Sequence, residues 1–265
     1  MSVKPLGRKQ SAKNEEWLNA MQNIEAVVSK SEIEKLARKT ISEIKAFCKG
    51  KKSAYAWSGG KDSIVLGHLC ESAGIENSMI GLCNLEYPAF LAWIEANKPL
   101  KCEMINVGLD IDWLAKHPEM LFPNDCAKAA RWFSIVQHKA QRIYYKNQNL
   151  DVLVLGRRHA DGNYTGRGAN HSTDGRGITR YSPLAEWKHE DILAYIHYYN
   201  LPIPPIYDWK NGYICGTHPW PARQYTESVE NGWQEIFDID PSIVKAAAEK
   251  IESAKHFLEK GGEKH

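Results

Sequence analysis

The stretch Ala54 to Leu69, AYAWSGGKDSIVLGHL, constrains the fold more than any other part of the chain. Ala54 to Trp57 predict a short buried strand, and Ile64, Val65, Leu66 and Leu69 recur at the spacing of a helix's apolar face. The six residues between them, Ser58-Gly-Gly-Lys-Asp-Ser63, must carry the chain from the end of a strand into a helix. Gly59 and Gly60 let main-chain N–H groups approach a ligand closely, and the helix N-terminus adds unpaired donors and a positive dipole end. Lys61 supplies a cation, expected on an exposed loop, and Ser58 and Ser63 supply hydroxyls. A helix cap would need only Asp62 or Ser63. The complete set therefore reads as a cradle for an anion. It is not the ordinary phosphate loop, in which G-x-x-x-x-G-K-[ST] is longer and no aspartate follows the lysine.

Beyond this turn the pattern alternates. A helix is predicted from about Ser63 to Ala73, a strand over Met79–Cys83 and a helix over Pro88–Asn97. A strand over Cys102–Val107, a helix near Trp113, a long helix from about Ala127 to Lys146 and a strand over Val152–Leu155 follow. Strands separated by helices imply an α/β fold with a doubly wound, mostly parallel sheet, whose ligands lie beyond the carboxyl ends of the strands. Ser58 and Gly156 both stand at such ends.

Ahead of the sheet, Trp17, Met21, Ile24 and Val28, then Ile33, Leu36, Ile41, Ile44 and Phe47, keep helical spacing, and Ser31-x-x-Glu34 reads as a capping box between two helices. From Arg157 to Arg180 five glycines interleave with five arginines without periodicity, the pattern of a functional lid or a disordered insertion. A helix over Lys188–Asn200, a proline-rigid extended path through LPIPPIYD and one C-terminal helix from about Pro241 to Leu258 complete the reading.

The formal net charge of the 265 residues is only +2, so a nucleic-acid or membrane partner would have to be argued from local clusters. No apolar run has the length of a membrane span, and Met1 to Asn14 are polar and basic without a signal peptide's apolar middle, so a cytoplasmic protein with no membrane partner is expected. Six dispersed cysteines without any C-x-x-C suggest neither a disulfide framework nor a zinc ribbon.

These residues resemble the PP-loop ATP pyrophosphatases, which cleave ATP between its α and β phosphates, and within them the phosphoadenosine phosphosulfate reductase-like branch. Ser58 to Ser63 match the signature loop. NLEYPAFLAWI (Asn84 to Ile94) is similar to the branch's aromatic-proline turn, and LGRRHAD (Leu155 to Asp161) to its strand followed by Gly-x-Arg. SPLAEWKHEDILAYIHYYNLPIPPIYD (Ser182 to Asp208) is similar to its tryptophan, helix and proline-rich segment. The resemblance spans roughly Ser53 to His218. It implies an adenine nucleotide alpha hydrolase-like fold with N-terminal helices and a C-terminal helical extension. The corresponding division is a basic arm (1–14), N-terminal helices (15–50), a nucleotide-binding domain (51–220) and a helical extension with a tail (221–265).

The resemblance also implies roles. Ser58, Gly59, Gly60, Lys61, Asp62 and Ser63 would cradle phosphates, and backbone groups near Gly81 to Asn84, Cys83 among them, would hold adenine. Gly156, Arg157 and Arg158 would border the nucleotide. Lys61, Asp62 and Arg157 are the catalytic candidates, and Asp62 would help to place magnesium beside ATP.

Two departures bear on the reaction. Sulfonucleotide reductases of the branch carry a catalytic cysteine near the C-terminus, and the tail SAKHFLEKGGEKH has none. They also usually alter the Ser-Gly-Gly-Lys-Asp-Ser loop, which is intact here. ATP cleavage to AMP and pyrophosphate, activating a second substrate, is the leading expectation. That substrate would be a sulfur donor or a nucleic acid, and a homo-oligomer is the expected assembly. The alternatives are a sulfonucleotide reductase using Cys215 and a non-catalytic nucleotide sensor. Cys126 and Cys215 stand where iron–sulfur members have cysteine pairs, but Ala127 and His218 replace the second cysteines, so no cluster is expected. Cys126, Cys215 and His218 remain an alternative metal site.

Overall fold

Among the described residues, six strands form one sheet: β1 (Ser53–Ala56), β2 (Ser78–Leu82), β3 (Cys102–Asn106), β4 (Val152–Val154), β5 (His171–Thr173) and β6 (Thr179–Tyr181). The computed structural model describes residues 6, 12–166 and 170–261. The expected basic arm lies almost entirely outside them. The strand order is β3-β2-β1-β4-β6-β5, with β5 antiparallel to β6 and every other pair parallel. β2 and β4 flank β1 on opposite sides, so the winding direction reverses between β1 and β4, and the crevice at that reversal is where an open sheet of this kind receives a ligand. β1, β2 and β4 are almost wholly buried, as apolar runs covered on both faces require.

The first helices are α1 (Asn14–Gln22) and α2 (Lys30–Cys48). The capping box that starts α2 is Ser29 with Glu32, two residues ahead of the expected Ser31 and Glu34. The two pairs share the same spacing; Ser29 wins because Ile33, Ala37, Thr40, Ile44 and Cys48 then form one buried stripe. α3 (Lys61–Ser72) begins inside the glycine turn, and α4 (Pro88–Asn97) follows β2 with proline at its first position. α5 (Ile111–Ala115) is a single turn capped by Asp110. The long helix expected from about Ala127 to Lys146 is continuous but not uniform: α6 (Cys126–Phe133) and α7 (Lys139–Asn147) are joined through a π turn, Ser134–His138.

Two further expectations are corrected. The Gly- and Arg-rich segment from 157 to 180 is not wholly aperiodic, because β5 and the start of β6 lie in it and extend the sheet. Asp174 and Gly177 close the hairpin turn, where the Gly177 N–H donates to the Asp174 carbonyl at 2.9 Å. After α8 (His189–Tyr198) and the short α9 (Gly212–Cys215), the C-terminal region contains α10 (Val229–Ile239), α11 (Pro241–Ala248) and α12 (Glu252–Glu259). The single C-terminal helix is broken at Ile251, whose extended backbone turns α12 back so that Ala254 is buried beside Ile243, Val244 and Ala247 of α11. No helix among the described residues is long and apolar enough to cross a membrane.

Candidate functional site

The turn after β1 is a closed hydrogen-bonded loop. Ser63 Oγ donates to the Gly60 carbonyl at 2.8 Å and accepts from the Ser58 N–H at 2.9 Å, which ties the two ends of the turn together. Gly59 takes φ +68, and a Cβ there would sit 3.0 Å from the Phe90 ring, so only glycine fits. The Lys61 N–H donates to Tyr207 Oη at 2.7 Å. α3 starts at Lys61, which directs the N–H groups and positive dipole of its first turn toward the crevice. Gly156, after β4, lies against this loop: a Cβ there would meet the Asp62 carbonyl oxygen at 3.3 Å. That close approach brings Arg157 to the same crevice.

Lys61 is not on an exposed loop, as its sequence setting suggested. It is 2% exposed; its Nζ lies 2.7 Å from Asp62 Oδ2 and 5.0 Å from the centre of the Trp17 ring. Trp17 belongs to α1 and is itself fully buried, edge-on to His189 and stacked with Tyr213. An N-terminal helix thus supplies the apolar floor under the loop lysine, and the lysine stem packs as well as carries charge.

Arg158 is likewise placed below the crevice rather than beside it. Its guanidinium is completely buried, with Nη2 at 2.7 Å from Asp62 Oδ1, 3.0 Å from Asp161 Oδ2 and 3.1 Å from His189 Nδ1, while Nη1 donates to the Trp187 carbonyl at 3.3 Å. The Asp62 carboxylate is therefore held between Lys61 on one oxygen and Arg158 on the other. Both Asp62 and Asp161 line the crevice; Arg158 does not.

The crevice is a cleft of about 350 Å³. The loop residues Ser58 and Gly60 to Ser63 line it, and Gly156, Arg157, Asp161 and Asn163 continue the lining beside them. Tyr207, Tyr213, Gly216, Thr217 and His218 also line it, Thr217 Oγ1 donating to the Ser58 carbonyl at 3.2 Å. The remaining wall is unexpected from sequence: Phe133, Gln137 and Gln141, spaced four apart across the π turn. On a regular α-helix two successive four-residue steps drift forward around the axis, and one wide π turn offsets that drift, so all three present to the cleft. Only the apolar spacing of the helix was legible; the π turn leaves no sequence signal.

Arg157 lines the cleft and donates from Nη2 to His138 Nε2 at 2.8 Å. His138 must therefore be neutral with its proton on Nδ1. Burial, then the charges of Arg157, Arg180 and Arg142, push its pKa down to about 4. In the unfolded chain this histidine titrates near its ordinary value of about 6.5. Between about pH 6.5 and 4 the unfolded chain thus binds a proton that the folded one refuses, so stability falls as pH drops through that window. Urea unfolding of wild type and His138→Gln at pH 7 and pH 4.5 should give a smaller drop in the variant, and an equal drop would contradict this assignment.

Besides Arg158 and Gly59, the candidates Cys83 and Cys215 do not line the cleft. Cys83 is buried at the end of β2, its N–H donating to Glu86 Oε1 at 2.7 Å. Burial raises the pKa of both side chains. The Cys215 thiol is 4% exposed and points to the Gln224 carbonyl at 3.6 Å, whereas its neighbours Ile214 and Gly216 line the cleft. The Cys126 side chain lies outside the described residues, and among the described residues no three metal-type ligands converge. A larger cavity of about 530 Å³, between α2 and Pro183 to Trp187, contains none of the loop residues; Lys39, Glu43, His159 and Glu186 give it mixed charge.

A family model described as the phosphoadenosine phosphosulfate reductase domain matches residues 52–219. No curated protein gave a significant match. Among solved structures, the phosphoadenylyl-sulfate reductase from Candida auris in complex with phosphate is similar at 15% identity and a TM-score of 0.49, covering 68% of this chain and 92% of that one. The NMN synthetase from Francisella tularensis is 15% identical with a TM-score of 0.46, covering 86% and 93%. The NH3-dependent NAD synthetase from Campylobacter jejuni, in complex with nitrate, is 16% identical with a TM-score of 0.44, covering 85% and 96%.

Proposed function

Because the chain belongs to the family of phosphoadenosine phosphosulfate reductase domains, we propose that it binds ATP across the loop Ser58 to Ser63 and cleaves it between the α and β phosphates. A nucleophilic oxygen of a second substrate attacks the α phosphorus, a bond to AMP forms, and the α–β bridging bond breaks with its electron pair leaving on pyrophosphate. The observation that carries this reading is the intact loop at the winding reversal of the sheet, with Lys61 and Asp62 both in the cleft. Donors aimed at the departing group are the arrangement such a cleavage needs, because charge develops there.

Each residue then has a task. The first turn of α3 and Lys61 bind the β and γ phosphates, Lys61 turning part of its charge from Asp62 to phosphate oxygen. Arg157, held by neutral His138, faces the α phosphate from the β4 side. Asp62 and Asp161 are hard oxygen donors on the cleft wall, partly exposed at 24% and 11%, and their number fits a magnesium ion that keeps most of its other ligands as water and phosphate. Magnesium would screen the triphosphate charge. Arg158 holds the two carboxylates in place.

The family description equally names sulfonucleotide reduction, for which Cys215, between the cleft residues Ile214 and Gly216, is the candidate thiol. Attack on sulfur needs a reachable thiolate, and this thiol is buried against Gln224. Pyrophosphate release from ATP, measured beside thioredoxin-dependent sulfite release from a sulfonucleotide, separates the two. Cys215→Ser should retain pyrophosphate release within about twofold, and sulfite from wild type that vanishes in Cys215→Ser would overturn the proposal.

A further inference from the structure

We infer that Gln141 is the residue by which this protein reads the nucleobase, its amide oxygen accepting a hydrogen bond from the exocyclic amino group of adenine. The inference rests on the proposed binding of ATP in the cleft. Gln141 lines the cleft and is 5% exposed, and its Oε1 has no hydrogen-bond partner among the described residues. A buried acceptor left unsatisfied is costly, and native structures retain one where a ligand or water completes it. Two of the backbone groups that family resemblance would assign to the base already have partners. The Cys83 N–H donates to Glu86, and the Gly81 carbonyl accepts from Gln137 Nε2 at 3.0 Å. Gln137 is thereby fixed to the sheet, which leaves Gln141, one helical turn further along, as the amide on this helix able to address a ligand.

The surroundings suit a purine. Ala56 and Leu155, at the ends of β1 and β4, give the same cleft small apolar surfaces, and Phe133 stands on the helix face that also carries Gln141. A base edge against Gln141 would leave the sugar and phosphates to reach the loop that lines the same cleft. An amide is the side chain suited to the amino group and adjacent ring nitrogen of adenine, accepting from one and donating to the other.

The test is a double-mutant cycle between protein and ligand. Calorimetric affinities of wild type and Gln141→Met are measured for ATP and for purine riboside triphosphate, which lacks the 6-amino group. Wild type should bind ATP about 10-fold more tightly than the analogue. Gln141→Met should bind both alike, at the affinity wild type shows for the analogue, which also establishes that the variant is folded with its phosphate site intact. Equal affinities in wild type, or a preference retained in the variant, would overturn the role of Gln141 while leaving ATP binding standing. Wild type that binds neither nucleotide would remove the underlying reading as well.

Discussion

Lys61→Met is expected to lower pyrophosphate release from ATP by about 100- to 1,000-fold, the scale of losing one preorganised charge at a developing anion. Methionine is the informative substitution because Lys61 is buried against Trp17. It keeps a long apolar stem over the ring, whereas alanine would open a cavity and confuse a stability loss with a catalytic one. Asp62 retains Arg158 as a partner at 2.7 Å, so its charge is not stranded. Steady-state pyrophosphate release together with a melting curve checks the expectation. Turnover within a few-fold of wild type would remove Lys61 from the chemistry.

Arg158→Met should act in the opposite manner, first on stability. Its fully buried guanidinium is shared by two carboxylates and a histidine, and removing the cation leaves Asp62 and Asp161 facing each other in a partly dry setting. Breaking such a pair costs about 3–5 kcal/mol, and the partial exposure of Asp62 places this case near the lower end. For a chain of this size that corresponds to a melting temperature lower by roughly 10 °C. Arg157→Met, one residue earlier, should shift the melting point little and weaken ATP binding instead, because Arg157 lines the cleft and Arg158 does not. Thermal melts of both variants with and without ATP test the division, and an Arg158→Met protein as stable as wild type would refute it.

That neighbouring arginines divide in this way shows where sequence reading stops. Strand, loop and helix around Ser58 to Ser63 were legible because apolar spacing changes from a buried run to a helical face across two glycines, and the elements through β4 followed from the same alternation. The side-chain directions were not. Arg157 and Arg158 are identical in type; one residue of difference in an extended segment sends one to the cleft and the other beneath it. The burial of Lys61 depends on Trp17, more than forty positions earlier, and no local pattern announces that contact. The hairpin of β5 and β6 was hidden because its strands are three residues each, set among glycines and arginines. Its pairing comes from β4, which offers an open edge, rather than from propensity. Gln137 and Gln141 carry no motif at all, and they enter the site through the π turn.

The central claim is tested most directly by incubating the purified protein and magnesium with ATP labelled at the α phosphorus, with and without a cell extract to supply the second substrate, and separating the products. The account predicts label in AMP or in an adenylylated product, with pyrophosphate released in equal amount. Label appearing in ADP, with orthophosphate as the co-product, would mean cleavage between the β and γ phosphates and would contradict it.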